Sequence, residues 1–134
     1  MKSEQLEKIR DYLEERPYAK FIFIGFSVNQ GWLSVYASNK PWVEAGFPKE
    51  KDGALVLYLE PELQEFIEEE WKRGASTDWF NYWLSKYWSD AFKYVKEIAK
   101  ERNMVKVKSY YQNCEKYISP QLAKEWLIEV KEVE

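Results

Sequence analysis

The chain has no histidine, and a single cysteine among its 134 residues. Without imidazole there is no side chain that titrates unperturbed near neutral pH, no histidine-based nucleophilic triad and no imidazole metal site. Cys114 alone makes no internal disulfide and supplies neither half of a Cys-x-x-Cys pair. Thiolate zinc and iron–sulfur sites within one chain are therefore out of reach, and a free thiol fits a reducing compartment. Phosphate-cradling loops of the GxxxxGK[ST] or GxGxxG kind are missing as well. No apolar run approaches the ~20 residues that a spanning helix needs. The opening MKSEQLEKIR is a charged helix start rather than a signal peptide, so a cytoplasmic protein without membrane contact is expected. There is no basic excess: 20 basic residues face 23 acidic ones, with an isoelectric point near 5.3. That balance argues against a strong nonspecific binder of polyanions, though not against a local patch.

What the chain does have is aromatic bulk. Hydrophobic residues make up 46% and aromatic residues 18%, which places it among globular proteins and offsets its small size with large buried rings. Charge is carried mostly by Glu and Lys, with Asp scarce, a balance enriched in hyperthermophile proteins. The densest stretch is WFNYWLSKYWSDAF, residues 79–92, with seven aromatics in fourteen positions. On a helix most of these fall on one wide apolar face, but Trp79 and Tyr82 fall outside it among polar residues.

No linker, low-complexity tract or internal repeat divides the chain, so residues 1–134 are expected to form one α+β domain. Leu6, Ile9 and Leu13 at helical spacing predict a helix over about 3–16, ahead of Pro17. FIFIGFSV (21–28) is apolar throughout and predicts a central strand covered on both faces. Asn29-Gln30-Gly31 then turns the chain into the alternating WLSVYAS (32–38), completing a hairpin. Residues 39–53 form a loop punctuated by Pro41, Gly46, Pro48 and Gly53. A third strand, ALVLYLE (54–60), runs into a helix that opens at Pro61 and closes at Gly74. Ser76 or Thr77 caps one continuous helix reaching Asn103, with Phe80, Leu84, Tyr87, Ala91, Val95 and Ile98 inward. MVKVKSYY (104–111) predicts a strand with Val105 and Val107 on one side and Lys106 and Lys108 on the other. Ser119-Pro120 opens a short helical turn, and residues 126–132 suit a strand slightly better than a helix. The order α-β-β-β-α-α-β-(β) predicts a mostly antiparallel sheet packed by the long aromatic helix.

The α-β-β-β-α-β part of this order resembles the core of the PD-(D/E)xK nuclease superfamily. Membership would imply an acid on the second strand and an acid-x-lysine on the third, holding Mg²⁺ beside an assisting lysine. WLSVYAS carries no acid, and ALVLYLE offers only Glu60 at its end, followed by Pro61 and Glu62. The resemblance is in topology alone, and topology does not carry function. A carboxylate-based enzyme remains as a third reading; carboxylates alone can still hold Mg²⁺ or Ca²⁺. No metal site and no cofactor is expected.

Two groups of residues remain as contact candidates. Trp79, Tyr82 and Trp83, with Trp42 and Phe47 from the 39–53 loop, either cover one another as a satellite core or present a surface to a partner. Lys106, Lys108, Tyr110 and Tyr111 suit a sequence-tolerant single-strand nucleic-acid binder, although two lysines also suffice to blunt an edge strand. Glu65 and Glu68-Glu69-Glu70 form an acidic stripe that is either a solvated face or a surface for a basic partner. Taken together, these residues favour a non-enzymatic interaction module that binds another protein, with self-association the simplest case.

Overall fold

An apolar strand with no polar face needs cover on both sides, and the fold is built outward from one such strand. The computed structural model describes residues 1–134. In chain order the elements are α1 (Ser3–Glu14), β1 (Phe21–Phe26), β2 (Leu33–Ser38), β3 (Leu55–Leu57), α2 (Pro61–Lys72) and α3 (Thr77–Tyr87). They continue with α4 (Ser89–Glu101), β4 (Val105–Val107), β5 (Cys114–Ile118), α5 (Pro120–Glu125) and β6 (Val130–Lys131). The six strands form one antiparallel sheet in the order β3-β2-β1-β5-β4-β6.

Every residue of β1 is buried, as its composition requires. Ile22, Ile24 and Phe26 face the main core with Ile9, Leu13, Leu33, Val35, Phe80, Leu84 and Val95, beneath α1 to α4. Phe21 and Phe23 point the other way, into a smaller cluster with Cys114, Ile118, Leu122 and Ala123. That second face is covered by α5 and by the 39–49 loop, which lays Trp42 and Phe47 against it. Tyr12 ties α1 to the sheet: its hydroxyl donates to the Gly53 carbonyl at 2.7 Å and accepts from the Ala37 amide at 3.2 Å. The Arg102 guanidinium donates to the Leu13 and Arg16 carbonyls, which ties the end of α4 to the end of α1. No helix is long and apolar enough to cross a membrane.

The expected continuous helix from Ser76 to Asn103 is two helices meeting at Trp88. Trp88 leaves helical geometry (φ −93°, ψ 8°), so it ends α3 and begins α4. Its ring is fully buried, and its Nε1–H donates to the Gly31 carbonyl at 2.9 Å. Gly31 sits at φ +81°, and a Cβ there would fall 2.4 Å from Leu59 Cδ1. The hairpin turn, Leu59 and the helix junction thus lock together around a residue that only glycine fits. Helical periodicity detects the inward face but not this bend, because the bend comes from a contact 57 residues away in sequence.

Other boundaries shrink or shift for similar reasons. The third strand is Leu55–Leu57 rather than 54–60, and the strand expected over 104–111 is only Val105–Val107. Tyr110 and Tyr111 therefore lie in an exposed connection, not on a strand. β5, the neighbour of β1, carries no strand signal in the sequence, because Glu115 and Lys116 interrupt its apolar pattern. The tail makes α5 and then a two-residue β6, so little of the strand expected over 126–132 forms. At the end of α2, Gly74 takes φ +82°, and the Ala75 and Gly74 amides bond back to the Glu70 and Trp71 carbonyls. This is the left-handed closure that its position predicted.

Candidate interaction surface

Rows of aromatics on neighbouring helices stack into ladders, and α2 and α3 join theirs into one. Trp71 stacks on Phe80 at 4.1 Å, and Phe80 meets Trp79 edge-on at 5.0 Å. Phe66 lies between Trp79 (5.9 Å) and Trp83 (5.8 Å). Trp83 stacks on Tyr87 at 5.8 Å, and Tyr87 meets Trp88 edge-on at 4.8 Å. Both ends of the ladder are anchored in the core: Trp71 packs against it and stacks on the fully buried Phe80, and Trp88 is itself fully buried. Its middle emerges: Trp79 and Trp83 are half-buried, and Phe66 is 40% exposed. Tyr82, one residue from Trp83, is 63% exposed, with the Lys86 ammonium 4.3 Å above its ring. A cation over an aromatic face is attracted by the ring quadrupole, so this surface already seats one.

Helix patterns explain why these rings stay out. Only Ile67 of α2 is fully buried, with Leu63 and Trp71 packed beside it. Phe66 sits one residue before Ile67, at the edge of the buried stripe. On α3 the inward positions are Phe80 and Leu84. Trp79 and Trp83 lie on the flank toward α2, and Tyr82 lies beyond them toward solvent.

The structure does not bring Trp42 and Phe47 to this surface. Trp42 packs edge-on against Tyr36 at 5.6 Å, and its Nε1–H donates to the Gly46 carbonyl. Phe47 lies 5.2 Å from Phe23 and 5.9 Å from Trp32. Both belong to the small cluster on the opposite sheet face from Trp79 and Trp83. The loop residues have their cover, and it is the sheet.

The four nucleic-acid candidates are scattered in role. Lys106 turns toward the helical face of the sheet and pairs with Glu115 at 3.6 Å. Glu115 also accepts a short hydrogen bond from the Tyr117 hydroxyl. Burial, then that hydrogen bond, pushes the Tyr117 phenol well above its ordinary range, so it stays a donor. Alternation in MVKVKSYY does not reveal this Lys106–Glu115–Tyr117 group, because Glu115 and Tyr117 come from β5, a strand distant in sequence. Lys108, Tyr110 and Tyr111 are exposed in the β4–β5 connection. Glu60, the acid that the nuclease-like order offers, occupies the N-cap position of α2, and its carboxylate lies 3.5 Å from the Lys2 ammonium. Cys114 is buried, and burial raises its thiol above the usual value, which disfavours the nucleophilic thiolate. No group of three or more acidic or cysteine side chains converges as a metal site would require.

Phe66 is the surface residue that sequence reasoning missed. Its i−3 and i+1 neighbours, Leu63 and Ile67, made it look like part of an ordinary inward stripe. Spacing gave no signal for it, since Leu63, Phe66, Ile67 and Trp71 fit one ordinary apolar face. No protein-family model, characterised protein or solved structure matches this chain.

Proposed function

We propose that this protein works by binding another protein through the aromatic face of α2 and α3, rather than by catalysis. The observation that carries the reading is the ladder anchored at both ends but emerging at Phe66, with the exposed Tyr82 ring beside it. Aromatic rings held rigidly by their neighbours lose little entropy on contact, and such rings dominate interface hot spots. Trp79 and Trp83 supply the floor, while Phe66 and Tyr82 supply the contact. The sparse chemistry elsewhere agrees, since the one thiol is suppressed and the half-buried Glu115 is engaged internally by Lys106.

A photo-crosslinking amino acid placed at Phe66 or Tyr82 tests this in cells of the native host. Discrete protein adducts are expected at both positions and not at Tyr18, which is 86% exposed in the α1–β1 connection. Equal adduct formation at Tyr18, or none at positions 66 and 82, refutes the reading.

A further inference from the structure

We propose that the partner presents a cationic polypeptide segment, seating an apolar anchor on Phe66, Trp79 and Trp83 and its lysines or arginines on the carboxylates of α2. The inference rests on the reading of this face as an interaction surface and specifies what the face selects. From its N-cap Glu60 to its C-cap Arg73, α2 carries six glutamates against only Lys72 and Arg73. That excess of four acids is larger than the excess of the entire chain, 23 acidic over 20 basic residues. The rest of the protein is nearly balanced, and the net negative charge is concentrated on the helix that bears the exposed ring.

The placement of these acids matters more than their number. Glu62 and Glu69 lie one turn before and one turn after Phe66, so they bracket the ring along its own side of the helix. Glu69 and Glu70 are engaged by Lys72 at 3.5 Å and Arg73 at 3.4 Å. Glu62 and Glu65 make no ion pair and are free to receive a cation. Across the ladder, Lys86 over Tyr82 shows an ammonium held on the same aromatic surface within the chain itself. Apolar rings bordered by unpaired carboxylates favour an anchor residue flanked by Lys or Arg, because the charges steer encounter and the rings hold the complex. A second copy of this chain fits poorly, since a two-fold contact through this face opposes one glutamate-rich helix to another. A nucleic-acid backbone meets the same repulsion.

Three fluorescein-labelled synthetic peptides supply the test, measured by anisotropy across a range of salt. One carries Lys with Leu and Trp anchors, the second replaces each Lys with Glu, and the third keeps Lys but replaces the anchors with Ser. The first should bind at least about tenfold tighter than either other peptide and weaken as salt rises. Glu62→Gln/Glu65→Gln/Glu69→Gln and Phe66→Ala should each reduce that binding about tenfold, with unfolding midpoints confirming that both variants fold. If the acidic peptide binds equally well and still depends on Phe66, the aromatic face stands and the cationic partner is refuted. If no peptide depends on Phe66, or none binds below about 1 mM, both readings fail. Sedimentation equilibrium covers the remaining case: a dimer that Phe66→Ala dissociates would assign the face to a second copy and overturn the proposal.

Discussion

Replacing Trp88 with Phe removes one N–H donor and part of a ring from the junction where α3 meets α4. The Gly31 carbonyl, buried beneath it, loses its 2.9 Å hydrogen bond and gains no water in exchange. Orphaning a buried carbonyl costs about 1–3 kcal/mol. The void left by the smaller ring adds about 1 kcal/mol, at about 24 cal/mol per Å³. A loss of about 3 kcal/mol follows, a large share of the ~5–15 kcal/mol that holds such a domain together. Urea unfolding measures it, with Trp83→Phe as the matched control. Trp83 undergoes the same chemical change, yet it is half-buried and its indole makes no hydrogen bond, so a cost below about 1 kcal/mol is expected there. Amide exchange should also quicken at Gly31 in the Trp88 variant, since its turn would lose the anchor. Equal midpoint shifts for the two variants would show that the junction is not held by this contact.

Two other perturbations test different parts of the fold. Leu127 closes α5 at φ +54° while 91% exposed, so Leu127→Gly relieves left-handed strain without losing buried surface. A thermal scan should show a gain of about 0.5–1 kcal/mol, and a lower melting temperature would contradict the assignment. The phenol of Tyr117 is raised in the folded state by burial and by Glu115, so its contribution is complete below the unfolded value near 10. As pH rises above that value the unfolded chain loses the proton first, and stability falls by about 1.4 kcal/mol per pH unit for this one group. Tyr117→Phe should make the decline above about pH 10 shallower by that slope, and parallel pH profiles would refute the coupling.

Much of the architecture follows from residues read in order. The apolar FIFIGF run required cover on both faces, and β1 has it. Gly31 and Gly74 marked turns whose positive φ the structure contains. Pro61 opened α2, and Ser76 capped α3 by accepting from the Trp79 amide. These are local rules, in which a few neighbouring residues decide backbone geometry by sterics and hydrogen bonding alone.

Where long-range contacts decide, the same sequence was ambiguous. Trp88 bends a helix whose periodicity runs unbroken through it, because its indole bonds to a turn far away in sequence. Glu115 and Lys116 hide β5 from its local pattern, since a carboxylate tolerates half-burial only once Lys106 and Tyr117 surround it. The aromatic surface shows the division most sharply. Composition and spacing placed Trp79, Tyr82 and Trp83 on one helix, and Trp42 and Phe47 in one loop. Only the sheet, standing between them, sends the loop rings to one face and the helix rings to the other. Only the packing of α2 against α3 brings Phe66 into their row. A chain pattern specifies which residues share an element's face; which element lies opposite depends on contacts between distant segments, and no local period encodes them.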